Sequence, residues 1–200
     1  MISAIILAAG ESRRMGQPKM LLPWDKSTVL QTVITTFQSA GINDILVITG
    51  GAHLQVDGLV GKTAQTAFNE NYAQGEMLSS IQAGLKIKIS ESRAVLIALG
   101  DQPQIRVRSI RQILQTYKKN GASLIVPSYQ MHRGHPWLVA RELWDEILKM
   151  PLGETSRDFL NRHARDIHYV QLDTPTILQD LDTPEDYLKS LPGRASQNLK

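Results

Sequence analysis

Short runs of apolar, largely β-branched residues alternate along the chain with stretches of helical periodicity. The apolar runs lie at residues 2–7, 45–49, 94–99 and 124–126. They carry almost no polar side chains, which is typical of strands buried on both faces of a sheet. Apolar residues at helical spacing lie between and after them, at residues 28–40, 76–89 and 106–119. Strands and helices that alternate over short connections predict an α/β fold with a mostly parallel sheet wrapped by helices.

The last third of the chain has a different pattern. The stretch "SYQMHRGHPWLV" predicts a turn that leads into an extended segment. Further elements are expected beyond it, namely helices at 141–149 and 155–162, a strand at 167–170 and a final helix over 184–188. No repeat, linker or low-complexity tract divides the chain. We therefore expect one domain over residues 1–192, followed by a polar tail at 193–200.

The composition excludes several classes of protein. The 200 residues include no cysteine, which excludes disulfides, thiolate metal sites and a cysteine nucleophile. The net charge of +3 comes from scattered basic residues and only 6% of residues are aromatic, so no nucleic-acid partner is expected. No segment has the roughly 18 consecutive apolar residues of a membrane span, and the first apolar run is short for a signal peptide. We expect a cytoplasmic protein that does not use a membrane.

Small residues dominate the start of the loop that follows the first predicted strand. The loop covers residues 8–19 and reads "AAGESRRMGQPK". Ligands of open parallel sheets bind beyond the carboxyl ends of the strands, where this loop begins. Ala8, Ala9 and Gly10 allow a base or a phosphate to approach the backbone closely. Gly10 and Gly16 permit a positive φ, which can aim successive backbone N–H groups at one point.

Two basic residues give this loop its charge. Arg14 supplies a planar guanidinium and Lys19 a compact ammonium, and both favour phosphate oxygens. The spacing matches neither the P-loop pattern G-x-x-x-x-G-K-[ST] nor the dinucleotide pattern G-x-G-x-x-G. The composition predicts a cradle for a polyphosphate, but an exposed basic turn would have much the same composition, and both interpretations stay open at this point.

The segment "LAAGESRRMGQPK" resembles the signature L-A-[AG]-G-x-S-x-R-M-G-x-[PD]-K of nucleotidyltransferases that begin with a Rossmann-like half. It is most similar to the branch that attaches a nucleotide to the molybdenum cofactor. Four further blocks follow in the family's order: "NENYAQGEMLSSIQAGL", "LIALGDQP", "GHPWLVAR" and "LQDLDTPEDY". The resemblance covers nearly the whole chain. It implies a three-layer α/β/α fold of the nucleotide-diphospho-sugar transferase type.

Acidic residues in two of these blocks are candidates for a Mg²⁺ site. Asp101 follows the run "AVLIALG", so its carboxylate is expected at the cleft, where oxygen ligands can hold Mg²⁺. It could instead cap the helix that begins near Arg106. The resemblance implies that Asp101 is the principal metal ligand and Asp182 the second, with Asp180 as a substitute. Asp182 or Thr183 would also be a good helix cap before Pro184, and metal ligation and capping both stay open for Asp182.

The block around residue 75 contains the candidate base contacts. Ser79 and Ser80 follow Gly75 in the first turns of a predicted helix, where hydroxyl and N–H groups can bind a pyrimidine edge or a phosphate. They could also be ordinary helix-start serines. The resemblance implies base recognition by this turn, and we place Leu7 and Ala9 in the same nucleotide site. Relatives that begin with L-A-A-G use CTP, whereas those that begin with L-A-G-G use GTP. This chain has Ala9 at the position that differs, so the resemblance favours cytosine as the base.

Candidate contacts to the second substrate lie in the last third of the chain. His135 lies between Gly134 and Pro136, and the resemblance implies that this loop faces the acceptor, whose phosphate a neutral or charged imidazole could contact. Relatives that act on molybdopterin carry G-D-x-G-A-R near this pocket. This chain has "GETSRDFL", so Glu154 and Arg157 are the candidate replacements, and a changed acceptor is equally open.

The resemblance therefore implies a Mg²⁺-dependent cytidylyltransferase that joins CTP to molybdopterin and releases pyrophosphate, with a molybdenum hydroxylase as recipient of the product. Arg14 is assigned to the departing β,γ-phosphates and Lys19 to the α-phosphate. A phosphate acceptor is largely ionised at pH 7, so no strong general base is required. Two alternatives stay open. One is a nucleotidyltransferase for a sugar phosphate or polyol phosphate, and the other is a nucleotide-binding chaperone that transfers a cofactor without catalysis.

Overall fold

The computed structural model describes residues 1–74, 76–88, 92–151 and 153–192. The strands are β1 (Ile2–Ala8), β2 (Pro23–Trp24), β3 (Ser27–Thr28), β4 (Ile45–Thr49), β5 (Gln65–Phe68), β6 (Ala94–Leu99), β7 (Leu124–Tyr129), β8 (His132–Arg133), β9 (Trp137–Ala140) and β10 (His168–Gln171). The α-helices are α1 (Val29–Ser39), α2 (His53–Val60), α3 (Glu76–Lys88), α4 (Val107–Asn120), α5 (Trp144–Lys149), α6 (Ser156–Arg162) and α7 (Pro184–Ser190). Short 3₁₀ helices cover Arg13–Met15, Lys19–Leu21, Arg141–Leu143 and Pro175–Leu178. None of the helices in the described ranges is long and apolar enough to cross a membrane.

The main sheet has the strand order β10-β7-β9-β6-β1-β4-β5, and β8 pairs with β7. The central strand β1 is parallel to both of its neighbours, while β9 runs antiparallel between β6 and β7. Leu7 lies opposite Ile48 on one side and Leu99 on the other, so three parallel strands end at the same level. This topology confirms the predicted α/β class with a mostly parallel sheet. It also brings the loops that follow β1, β4 and β6 to one edge.

Helices cover both faces of the sheet because the residues of β1 alternate between two cores. Ala4 and Ile6 belong to the core that α1 and α4 close, which includes Phe37. Ile5 belongs to the opposite core, which α3, α5 and α6 close, and which includes Trp144. All five of these side chains are almost fully buried. A strand buried on both faces is almost entirely apolar, which explains the run at residues 2–7. The exception is the buried Ser3, whose hydroxyl is hydrogen-bonded to Asp44 and Ser92.

The observed elements match the predicted ones where the apolar pattern is strong. Thr28 caps α1 by accepting a hydrogen bond from the backbone N–H of Gln31. Helix α2 and strand β5 were not predicted, because β5 is an edge strand with partly exposed residues and α2 contains Gly58. The predicted start of the helix over 141–149 is wrong, because residues 141–143 form a 3₁₀ turn and α5 begins only at Trp144. Residue 89 and the tail at 193–200 lie outside the described residues.

Two backbone segments meet closely at the edge where the central strands end. Gly50 directly follows β4, and a Cβ atom at this position would lie 2.2 Å from the backbone oxygen of Ala9 and 2.8 Å from its Cα. Such distances require the backbone of one segment to shift. The absence of a side chain at Gly50 therefore determines where the loop after β1 starts.

We expect Gly50→Ala to lower the free energy of unfolding by roughly 1–3 kcal/mol, the usual cost of overpacking. Gly58→Ala is the matched control, because a Cβ at Gly58 in α2 meets nothing within 4 Å. Alanine also favours a helix interior over glycine by about 0.5–1 kcal/mol, so this control should be neutral or stabilised. Urea unfolding followed by circular dichroism measures both. Equal stability of the two variants would contradict the close approach.

Candidate active site

The loop after β1 is folded, with two residues in the left-handed region. Ser12 has φ 52° and Gly16 has φ 71°, and the Ser12 hydroxyl accepts a hydrogen bond from the backbone N–H of Lys19 at 3.1 Å. The side chains of Met15 and Met20 are buried and anchor the loop to the domain. The expected positive φ is therefore found at Gly16, and the expectation is wrong for Gly10, whose φ is outside that region. Ser12 was not singled out as a loop-shaping residue.

Lys19 lies between two acidic residues from distant parts of the chain. Its ammonium donates hydrogen bonds to Asp101 Oδ2 and, at 3.3 Å, to Asp182 Oδ1. Arg14 Nη2 donates to the other oxygen of Asp182 at 2.8 Å. The side chains of Lys19 and Asp101 are only 13% and 10% exposed, whereas Arg14 is 70% exposed at the rim. Four of the predicted site residues are thus in one network.

The two carboxylates keep Lys19 protonated. Burial by itself lowers the pKa of Lys19, but the charges of Asp101 and Asp182 and their hydrogen bonds to the ammonium outweigh burial. The net effect raises the pKa of Lys19 above its ordinary value. The side chain is therefore a permanent cation at physiological pH, available to anionic groups.

A third carboxylate, that of Asp180, is held by a residue that sequence reasoning missed. Gln102 is 3% exposed, and its side-chain amide donates to Asp180 Oδ1 at 2.6 Å and to the backbone oxygen of Ile177 at 3.3 Å. The pKa of Asp180 is raised, first by burial and then by the negative charge of Asp101. Gln102 directly follows Asp101 in "LGDQP", and this proximity in sequence is the one signal that could have indicated a place for Gln102 in the site.

The caps of the neighbouring helices show that Asp101 and Asp182 are not needed as helix caps. The cap of α7 is Thr183, which forms a capping box with Asp186. The cap of α4 is Arg106, with no side-chain capping hydrogen bond. Both aspartates instead face Lys19, so Asp101 does not cap α4, and of the two candidate caps of α7 the structure shows Thr183 and not Asp182.

The two serines of α3 are joined by a residue from the end of β5. Asn69 Nδ2 donates to Ser79 Oγ at 2.9 Å and to Ser80 Oγ at 3.0 Å, and all three residues are buried. Ser80 lines a cavity of about 330 Å³ together with Leu7, Ala9, Gly10, Lys19, Tyr72, Met77, Asp101, Asp180 and Asp182. Asn69 was missed as a positioning residue, although it begins the quoted block "NENYAQGEMLSSIQAGL". The predicted contact Gly75 lies outside the described residues.

A second, larger cavity adjoins the first and shares Met77 with it. Its volume is about 620 Å³, and its lining includes Arg133, His135, Trp137 and Arg157. Arg157 therefore faces this cavity. Glu154 is not among its lining residues, because its carboxylate pairs with Arg162 at 2.7 Å.

Two ring nitrogens at the second cavity lack partners among the described residues. The rings of His135 and Trp137 are stacked, with centroids 4.5 Å apart and planes 19° apart. His135 Nε2 and Trp137 Nε1 are both buried, and neither forms a hydrogen bond with any of the residues that the structure describes. Burial lowers the pKa of His135 to about 3, so the imidazole is neutral at physiological pH. Of the two protonation states considered for His135, this low pKa favours the neutral one.

The donor set around Lys19 fits a hard divalent cation. The described residues contain no cluster of three or more His, Asp or Glu side chains arranged to hold a metal by themselves. Mg²⁺ and similar ions commonly take one or two carboxylates and complete their shell with phosphate oxygens and water. Asp101 and Asp182 already share a cation in the form of the Lys19 ammonium. Two carboxylates beside a phosphate-sized cavity suit a metal that arrives with a polyphosphate.

A cavity at the carboxyl ends of parallel strands, with a lysine and paired aspartates on its wall and an arginine at the rim, fits a nucleotidyltransferase. The chain belongs to the family of the MobA-like NTP transferase domain, whose model matches residues 4–167. It is 31% identical over 189 residues to a molybdenum cofactor cytidylyltransferase from Escherichia coli, covering 94% of each chain. It is also 28% identical to a probable molybdenum cofactor guanylyltransferase from Trichormus variabilis, covering 92% of this chain and 88% of the relative.

Solved structures agree with this family. The complex of Rv0371C with manganese from Mycobacterium tuberculosis H37Rv superposes with a TM-score of 0.76 at 26% identity, over 96% of this chain and 98% of that one. Nucleotidyltransferases of this family typically depend on a divalent metal. The predicted family, fold class and enzyme class are therefore confirmed.

His135→Gln should remove a pH-dependent contribution to stability. The pKa of folded His135 is about 3, below the ordinary value of 6.5, so the unfolded chain takes up the proton first as the pH falls. The contribution is complete above pH 6.5 and is lost towards pH 3, at roughly 1 kcal/mol or more per pH unit. The stability advantage of the wild type over the variant should therefore shrink between pH 6.5 and 4.5.

Urea unfolding at a series of pH values measures this difference. His132→Gln is the control, because His132 lines the same cavity but is exposed. A wild-type advantage that stays constant with pH would show that His135 titrates normally.

Proposed function

We propose that the chain is a CTP:molybdenum cofactor cytidylyltransferase, which forms molybdopterin cytosine dinucleotide and pyrophosphate. The observation that carries this proposal is the position of Lys19 between Asp101 and Asp182, at the mouth of a cavity that Ala9 and Ser80 line. The name of the Escherichia coli relative supports the same reaction. The preference for CTP rests on the resemblance of the L-A-A-G start to CTP users.

In this proposal the chain's cations neutralise the nucleotide. Lys19 binds the α-phosphate and the charge that develops on it, and Arg14 binds the departing β,γ-phosphates at the exposed rim. Asp101 and Asp182 hold Mg²⁺, with Asp180 beside them as the substitute. The metal supplies charge neutralisation of the phosphates, as it does in other phosphoryl transfers. Ser80, which lines the cavity, and Ser79, held by the same Asn69 side chain, are the candidate contacts to the cytosine edge.

The second cavity is assigned to the acceptor. Arg157 at its wall is suited to the acceptor's anionic groups, since a guanidinium stays charged at all relevant pH values. The neutral His135 and the Trp137 N–H are suited to a planar, hydrogen-bonding ring, because both nitrogens are otherwise unpaired. The acceptor phosphate is ionised at pH 7, so orientation of the two substrates across Met77 replaces a strong general base.

Lys19→Ala should lower kcat by about 100-fold or more, as expected for a group that stabilises charge in the transition state. Pyrophosphate release is measured with each NTP in turn, together with Mg²⁺ and loaded molybdopterin. Lys26→Ala removes the same charge at an exposed site outside the cavity and is the control. The circular dichroism of both variants should match the wild type.

The substrate panel of this assay also separates the candidate functions. Release with CTP alone among the NTPs supports the proposal. Release only with a sugar phosphate or polyol phosphate as acceptor would replace molybdopterin as the substrate. No release with any acceptor would favour a nucleotide-binding chaperone, and near-normal turnover of Lys19→Ala would refute the role of this lysine.

Trp137→Phe should raise the KM for molybdopterin about tenfold while leaving the KM for CTP unchanged, because the unpaired indole N–H at the acceptor cavity is lost together with part of the ring. An unmade hydrogen bond to a buried group costs about 1–3 kcal/mol. Trp144→Phe is the matched control, since the Trp144 N–H already donates to the backbone oxygen of Val139 at 3.1 Å. That variant should lose stability and keep both KM values. Unchanged KM for molybdopterin in Trp137→Phe would place the acceptor elsewhere.

A further inference from the structure

We propose that Lys19 is an internal counter-ion that occupies the cation position between Asp101 and Asp182 until a nucleotide draws it away. A divalent metal then enters with the nucleotide and not before it. This inference rests on the proposed function, because it takes the two aspartates as the ligands of the metal. It adds an order of binding that follows from the contacts of one side chain.

The contacts show that the position is already filled by cations. The Lys19 ammonium touches one oxygen of Asp101 and, at 3.3 Å, one oxygen of Asp182. The other oxygen of Asp182 is bound by Arg14 at 2.8 Å. A metal that used both carboxylates would have to replace the ammonium, since Lys19 and Asp101 are 13% and 10% exposed and leave little room.

The charges of Asp101 and Asp182 are already compensated by the chain itself. These two carboxylates face one ammonium and one guanidinium, so a divalent cation meets two carboxylates that are already paired, with the carboxylate of Asp180 beside them held by Gln102. The same two carboxylates without Lys19 would attract it strongly, because Coulomb interactions are less screened at partly buried sites. A nucleotide brings phosphate groups that compete for Lys19 and Arg14, and each cation that moves to a phosphate frees a carboxylate oxygen.

The backbone of Lys19 is fixed while its side chain lies on the wall of the cavity. The backbone N–H of Lys19 donates to Ser12 Oγ at 3.1 Å, and the adjacent Met20 is 4% exposed. The ammonium lies on the lining of the 330 Å³ cavity beside Ala9 and Gly10. Four rotatable side-chain bonds can therefore move the charge from the carboxylates to a phosphate with no change in the fold.

Binding of Mn²⁺ alone to the full chain tests this inference. Equilibrium dialysis without nucleotide should show weak binding to the wild type and binding to Lys19→Met that is about tenfold tighter, within the usual range of coupling between sites. Lys19→Arg keeps the charge and should remain weak. Arg13→Met removes a cation from the same loop and should behave as the wild type, because Arg13 pairs with Glu11 and is 77% exposed.

A second readout covers the case in which Lys19→Met folds poorly. Lys19→Gln keeps a hydrogen-bond donor beside both aspartates but has no charge. The Tm of Lys19→Gln should rise on addition of Mn²⁺ without nucleotide, while the wild-type Tm should not. Equal Mn²⁺ affinity in the wild type and in the uncharged variants would overturn the inference.

An arm with CTP separates failure of this inference from failure of the proposed function. Wild-type protein dialysed with Mn²⁺ and CTP together should retain the metal. Retention with CTP but equal nucleotide-free affinities would overturn only the counter-ion role. No retention of Mn²⁺ by the wild type in the presence of CTP would overturn the metal assignment and the inference together.

Discussion

The contact of Lys19 with two aspartates joins the two ends of the chain at one point. Asp101 follows β6, Asp182 precedes α7, and Lys19 comes from the loop after β1. Three groups of mixed sign can be this close because their charges compensate one another, whereas any one of them alone would be costly to bury. The site therefore depends on the C-terminal segment that contains Asp182, although the nucleotide cavity is built mainly by the N-terminal strands.

The sheet topology explains why these residues meet. β1 is parallel to β4 and β6 and in register with both, so loops that are distant in sequence start from one edge. The antiparallel strand β9 lies between β6 and β7 in the sheet, and it places Trp137 and the preceding His135 at the second cavity, next to the cavity that Lys19 lines. Ligand sites at the carboxyl ends of parallel strands are the general consequence of this architecture.

Sequence patterns predicted the strands and helices whose residues are fully buried. They gave little information about contacts between residues that are distant in the sequence. The runs that became β1, β4 and β6 are apolar apart from Ser3 and Thr49, because helices cover both faces of the sheet. Strand β5 was not predicted, because it lies at an edge of the sheet and its residues are partly exposed, so they form no apolar run. Lys19 and Asp101 were expected in the site, but their direct contact was not, because pairing across 82 positions leaves no local signal. Gln102 and Asn69 act by hydrogen bonds to other side chains, which spacing does not indicate.

Met77 borders both cavities, and its sulfur accepts a hydrogen bond from the Ser156 hydroxyl at 3.4 Å. An unbranched thioether side chain has three rotatable bonds and adapts its shape at little energetic expense. In the proposed function, the boundary between the two substrates would therefore be an adaptable side chain tethered by one weak hydrogen bond, and not rigid main chain.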